Sequence, residues 1–169
     1  MDLPVLSGER VRLRPLTDSD VEALTAAAEH PSIKRWWGYT NDPDSLREGF
    51  RNEGTGMAIE VGGELAGWLA FNEENEPDFR HAALDITMLP RFQGRGLGPD
   101  ALRTVLGWLV EQRGHHRFTI DPSLANDRAI RAYKAVGFKP IGVMRQYDRN
   151  PDGDWEDGLL MDLLAEELR

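Results

Sequence analysis

The stretch RFQGRGLGPDALRTVLGWLV, Arg91 to Val110, decides how this chain is read. Gly94, Gly96 and Gly98 alternate with other residues, and Pro99 follows. Ala101, Leu102, Val105, Leu106, Leu109 and Val110 then recur at helical period. A glycine loop that feeds an amphipathic helix can turn several backbone N–H groups toward one point, beside the positive end of a helix dipole. Two familiar phosphate loops do not fit. A P-loop needs Lys followed by Ser or Thr after its last glycine, and neither pair is present. The dinucleotide fingerprint G-x-G-x-x-G fails from Gly94, where Pro99 stands last, and from Gly96, where Ala101 does. What remains is Gln93-x-x-Gly96-x-Gly98, with Leu97 inside it and Arg95 adding charge. The natural guest of such a loop is a diphosphate, gripped by backbone and not by lysine. Pro99 cannot donate, but it suits a first helical turn.

Around this loop the 169 residues read as one domain, 1–169, with a full core. The pattern begins with a strand at Arg10–Leu16. A helix follows, opened by Thr17 with Asp20 three residues on, in the manner of a capping box. Asp42 and Pro43 open another helix, and Gly62-Gly63 turns a hairpin. A strand at His81–Leu89, the loop and its helix, and a strand at His116–Pro122 come next. The chain closes with a helix ending at Gly137 and two strands around the turn NPDGDW. The order β-α-α-β-β-β-α-β-α-β-β is that of a mixed α/β (α+β) layer with helices on both faces.

Composition narrows the function. A net charge of −9 argues against nucleic acid and is compatible with a cationic substrate. The absence of cysteine removes thiolate nucleophiles and Cys-type zinc sites, and the four histidines lack metal-ligand spacing, so no metal is expected. No apolar run is long enough to span a membrane, and the start MDLPVLSGERVRLRPL lacks a signal pattern. The reading is therefore cytoplasmic.

The loop resembles the acetyl-coenzyme A pyrophosphate loop of the GNAT N-acetyltransferases. A second segment, DPSLANDRAIRAYKAVGF, is similar to that family's N-x-x-A-x-x-x-Y-x-x-x-G-F, with Asn126, Ala129, Tyr133, Gly137 and Phe138 in place. The resemblance implies a central twisted, mostly antiparallel sheet, splayed between the fourth and fifth strands. It implies acetyl-CoA as cofactor, met by Met88, Leu89, Gln93, Gly94, Arg95, Gly96, Leu97, Gly98, Asn126, Ala129 and Tyr133. A monomer or homodimer is expected.

Transfer of acetyl to an amine requires that the amine lose a proton, that the thioester oxygen be stabilised, and that the leaving sulfur gain a proton. The resemblance implies an oxyanion donor among the backbone N–H groups of Thr87 to Leu89, with Met88 chosen. It also implies Tyr133 as the acid, where the alternative is one more residue of an apolar stripe with Ile130 and Val136. Asp85 stands in mid-strand, where aspartate is disfavoured without a reason. It is read as the base. Asp121 ends the neighbouring strand at the lip of the same gap; it is an alternative acceptor of the ammonium proton, directly or through a water, a second substrate carboxylate, or an Asx-turn before Pro122.

RWWG at Arg35–Gly38, an aspartate in the central strand and DPSxxNxRAIRxY together resemble the aminoglycoside 6'-N-acetyltransferases. That implies that Asp85 and Asp121 contact drug amines and that Trp36 and Trp37 wall the sugar pocket, unless the tryptophans serve core packing. Glu73, Glu74, Glu76 and Asp78, in the loop before Asp85, and Asp152, Asp154 and Asp157, near the last hairpin, would form an anionic rim; such runs are otherwise solvated loops. The partner is a cationic small-molecule amine. Alternatives are a GNAT acting on a protein N-terminus or lysine, a polyamine or a siderophore precursor, or a silent acyl-CoA sensor.

Overall fold

The computed structural model describes residues 2–38 and 42–169. Its layering follows from one strand. In β4 (Glu64–Glu74) successive side chains point to opposite faces, and both sets are apolar and buried from Ala66 to Phe71. Leu69 and Phe71 face a core built on helix α4 (Leu97–Arg113), whose Ala101, Leu102, Val105, Leu106 and Leu109 are fully buried. Trp68 and Ala70 face a second core, against α1 (Asp18–Ala27), α2 (Pro31–Lys34) and α3 (Pro43–Arg51). A strand buried on both faces requires helices on both faces, as expected from the sequence.

The remaining elements are β1 (Leu6–Ser7), β2 (Arg12–Pro15), β3 (Met57–Val61), β5 (His81–Met88), β6 (Arg117–Ile120), α5 (Asp127–Val136), β7 (Lys139–Arg149) and β8 (Trp155–Leu164). They complete an eight-stranded sheet in the order β1-β2-β3-β4-β5-β6-β8-β7. Strand β1 has too short a pattern to be legible in the sequence. The capping box opens α1 as expected: the Asp20 N–H donates to Thr17 Oγ1 at 3.2 Å, and the Thr17 N–H donates to the Asp20 carboxylate at 2.8 Å.

Neighbouring strands run antiparallel except β5 and β6, which run parallel and pair only at Ala82–Phe118 and Ala83–Thr119. Beyond Ala83 the two strands part. This is the splay expected between the fourth and fifth strands, now β5 and β6 because β1 precedes them.

The first strands are tied to α4 by one buried carboxylate. Asp100, 6% exposed, accepts the backbone N–H groups of Glu9 at 3.1 Å, Arg10 at 2.8 Å and Val11 at 3.0 Å. Hydrogen bonds to a charged acceptor are the strong kind. Asp100→Ala is therefore expected to lower unfolding free energy by about 2 kcal/mol or more, measured by urea denaturation. A loss well under about 1 kcal/mol would show that the anchor is not needed.

Candidate active site

The splay turns backbone into site. The Leu89 N–H donates to Ala66 O at 2.8 Å, which sets the phase of the β4–β5 ladder. Odd-numbered residues of β5 then bond to β4, and the N–H groups of Ile86 and Met88 point the other way, where β6 has departed. The Ile86 N–H is taken by the Asp85 carboxylate at 2.9 Å. That leaves the Met88 N–H directed at the gap, as its assigned role needs. Leu89, with its N–H bonded to β4 and its side chain packed against the core, does not line the gap; its assignment as a cofactor contact is corrected.

The gap widens into a cleft of about 900 Å³. One half is lined by Met88, Gln93, Gly94, Gly96, Leu97, Gly98, Asn126, Arg128 and Ala129. Gly94 and Gly96 have φ of +70° and +73°, the left-handed region that glycine enters without penalty. They deliver the chain into α4, whose first-turn N–H groups have no acceptor within the helix. Two guanidiniums flank the loop: Arg10 donates to Arg95 O at 2.6 Å, and Arg128 donates to Gln93 Oε1 at 3.2 Å. Free N–H groups at a helix start, beside arginine, fit a diphosphate.

Two of the expected ligands line the cleft and also hold local structure in place. The Gln93 side chain donates to Met88 O at 3.0 Å and Ser32 Oγ at 3.2 Å, so it holds the loop in place. Asn126 Oδ1 accepts the Ala129 N–H at 3.2 Å as the N-cap of α5. Arg95 does not line the cleft, which corrects its assignment: the left-handed glycines on either side turn it outward, and its guanidinium lies 5.6 Å over the Phe92 ring. The cation near the loop is Arg128, in the first turn of α5, inside a motif where its charge went unread.

The other half of the cleft is anionic and aromatic. Asp85, Asp121, Tyr133, Trp36, Trp37, Tyr147, Asp148, Glu156 and Asp157 line it, and the acids outnumber the two arginines among them, Arg35 and Arg149. Asp85 is exposed on its cleft side and has protein packed around its other sides, which removes part of its hydration. This loss of hydration, with the charge of Asp121, pushes its carboxyl up to about 6. Burial and the same two carboxylates push the Tyr133 phenol up, so it is a protonated donor at neutral pH. Trp37 does both of the jobs that the sequence left open: it lines the cleft and packs against Phe50 and Trp68 with centroids 4.8 and 5.7 Å away.

Of the residues expected in the acidic rim, Asp157 lines the cleft, while Glu74 and Asp154 stand elsewhere. Glu74 pairs with His81 at the far end of the β4–β5 ladder and caps its own turn, accepting the Glu76 N–H at 2.8 Å. Four residues from the Ala70–Asp85 pair, it lies about 13 Å along the strand from the site. Asp154 sits in the β7–β8 turn, where its N–H donates to Asn150 Oδ1 at 3.0 Å, and it does not line the cleft. The hairpin contributes Asp148, Glu156 and Asp157. Tyr147 was missed altogether; its O–H donates to the Asp121 carboxylate. Strand alternation alone does not reveal it, because β7 changes register between Met144 and Asp148.

Comparison with known proteins agrees with this geometry. The model of the acetyltransferase (GNAT) domain family matches residues 10–139. N-alpha-acetyltransferase RimI of Mycobacterium tuberculosis is 32% identical over 94 residues, 55% of this chain and 57% of RimI, so that match spans little more than half of its length. Spermidine N(1)-acetyltransferase of Escherichia coli K12 is 24% identical over 145 residues, 82% of this chain and 77% of the relative. The structure of Mycobacterium smegmatis RimJ in complex with CoA-disulfide superposes with a TM-score of 0.84 at 24% identity, covering 98% of this chain and 89% of that one.

The displaced carboxyl of Asp85 has a measurable consequence. Its folded value near 6 lies above the ordinary 3.8, so between those pH values the native state binds more protons than the unfolded one. Stability is expected to fall as pH rises through that window, with the penalty complete above about 6. Asp85→Asn removes the charge, so near neutral pH it is expected to melt no lower than the wild type. A clear loss of melting temperature would show that the carboxylate is structurally required.

Proposed function

The chain belongs to the acetyltransferase (GNAT) family and is an N-acetyltransferase that uses acetyl-CoA; we propose that it acetylates a primary amine of a small polycation, an aminoglycoside at its 6'-amino group or a polyamine, in the cytoplasm. The observation that carries this reading is the charge of the acceptor half. Asp85, Asp121 and Asp148 face one space, between the aromatic walls of Trp36 and Tyr147. Such a surface suits a ligand bearing several ammonium groups, which can also lie against aromatic faces.

When bound, the donor supplies the activated acetyl group as a thioester. In this proposal the Gly94–Gly98 loop, the first turn of α4 and Arg128 hold its diphosphate. The Met88 N–H stabilises negative charge on the thioester oxygen. Asp85 takes the proton that the acceptor nitrogen must shed, and Tyr133 protonates the leaving sulfur. A carboxyl near 6 is ionised at neutral pH, and it is a stronger base than an ordinary aspartate.

A second reading, acetylation of a protein N-terminus, is favoured by the likeness to RimI, whose name describes an N-alpha-acetyltransferase. Thiol release from acetyl-CoA separates the two. Kanamycin- and gentamicin-type drugs, spermidine and short peptides are offered in parallel. Turnover with the drugs or spermidine supports the polycation; turnover with peptides alone rejects it.

Two variants test the assigned roles. Asp85→Asn is expected to lower kcat by about 100-fold or more with little change in acetyl-CoA affinity, and wild-type kcat/KM should rise with pH to a plateau above about 6. Near-normal turnover would remove Asp85 as base. Gly96→Val places a β-branched residue at φ +73°, and CoA affinity, measured by calorimetry, is expected to drop about tenfold. Unchanged affinity would refute the role given to the loop.

A further inference from the structure

Tyr147 is held in place by features that have no other evident purpose. Strand β7 slips register against β8 between Met144 and Asp148, and inside the bulge Gln146 adopts φ +49°, a conformation that side chains other than glycine avoid. The Gln146 N–H donates to Asp157 Oδ1 at 2.8 Å, which pins the bulge to β8. A bulge of this kind redirects the side chain beside it, and backbone strain of this kind gathers at functional sites. The redirected ring lies on Gly158. A Cβ at that position would stand 2.7 Å from Tyr147 Cδ1 and 3.2 Å from Cγ, so only glycine admits the ring.

From there the phenol reaches Asp121, whose own chain is docked on the same strand. The Leu159 N–H donates to Pro122 O at 2.9 Å, and the Leu124 N–H donates to Asp157 O at 2.9 Å. Thus β8 carries both members of the Tyr147–Asp121 pair in fixed relation. The chemistry of the donor matters. Glu156, in the same half of the cleft, is gripped by both terminal nitrogens of Arg35 at 2.9 and 3.0 Å, which cancels its charge. A phenol orients a carboxylate and draws off only a small part of its negative charge, leaving it an anion, and it engages only one of the two oxygens.

We propose that Tyr147 is a positioning residue: through its hydrogen bond it fixes Asp121 as the anchor for the acceptor's ammonium group and leaves Asp85 to take the proton. This rests on the reading of Asp85 as base. The proton balance is simple: an N–H bond of the acceptor breaks, an O–H bond forms on Asp85, and the nitrogen keeps the electron pair with which it attacks. The titratable and charged groups that line the cleft around this carboxylate pair are Tyr133 and Arg131 from α5, Tyr147, Asp148 and Arg149 from β7, and, from β8, Asp157 and Glu156 with its partner Arg35. Asp121 pushes the Tyr147 phenol up to about 12, so Tyr147 donates throughout the working pH range.

Tyr147→Phe keeps the ring on Gly158 and removes only the O–H. With spermidine and a kanamycin-type drug as acceptors, its acceptor KM is expected to rise about tenfold, with kcat and acetyl-CoA KM within about twofold of wild type. In an Asp121→Asn background the same change is expected to have no further effect, a coupling that a merely structural role would not produce. A readout free of any acceptor is the Asp85 midpoint, followed by NMR of labelled carboxyl carbons. Asp121→Asn should lower it by removing a like charge, and Tyr147→Phe should raise it by leaving that charge unshared. An unmoved Asp85 midpoint in Tyr147→Phe overturns the assignment, as does an unchanged acceptor KM or full additivity with Asp121→Asn. Failure of the underlying reading looks different: Asp85→Asn would then keep its turnover, which removes the base from the proposal while the Tyr147–Asp121 cycle still judges the anchor.

Discussion

Everything at the candidate site depends on two strands that stop pairing. Strands β5 and β6 share only the Ala82–Phe118 and Ala83–Thr119 pairs before they diverge. In a continuous sheet the backbone of Ile86 and Met88 would be bonded to a neighbour. Here those groups face a cleft, because the ladder with β4 uses only alternate residues. The departure is stabilised from both sides. The loop after β5 crosses back over it, with Gln93 holding Met88 O, and the turn after β6 docks on β8 through Pro122 and Leu124. The sheet thereby keeps most of its hydrogen bonds while exposing a few where chemistry can use them.

The opening divides the cleft by charge. On one side, backbone N–H groups, Arg10 and Arg128 create a positive pole at the start of α4. On the other, Asp85, Asp121 and Asp148 create a negative one. A diphosphate and a polycation would be sorted by this field before any specific contact formed. The two poles also tune the residues between them. Asp85 is pushed upward by lost hydration and by Asp121, and Tyr133 by burial and by both carboxylates. The base and the acid of the proposed reaction would thus be set apart by their surroundings.

Legibility in the sequence tracked how local the physical signal was. The α4 stripe, the Thr17–Asp20 capping box and the Asn126 cap are set by residues within one or two turns of each other, and each stands where it was expected. The splay and the fold were reached through the motif resemblance. Acidic residues were the least legible. Glu74 and Asp154 had the right chemistry in the wrong place, since a loop carboxylate looks alike whether it caps its own turn or faces a ligand. Tyr147 gave no signal, because its direction depends on a bulge whose cause lies on another strand.

By itself, the sequence determined the donor side. Glycine spacing, a missing lysine and an amphipathic stripe are short-range facts, and they restrict what a loop at a helix start can hold. It also determined that the helices lie on both faces of one sheet, through the uninterrupted apolar run of β4. Only the tertiary structure decided the acceptor side. Asp85 stands on β5, Asp121 just past the end of β6, Tyr147 on β7 and Gly158 on β8, and none of these relations is periodic along the chain. The reason is physical: electrostatic and steric coupling act through space over a few ångströms. Sequence order carries that information only where the backbone itself keeps neighbours close.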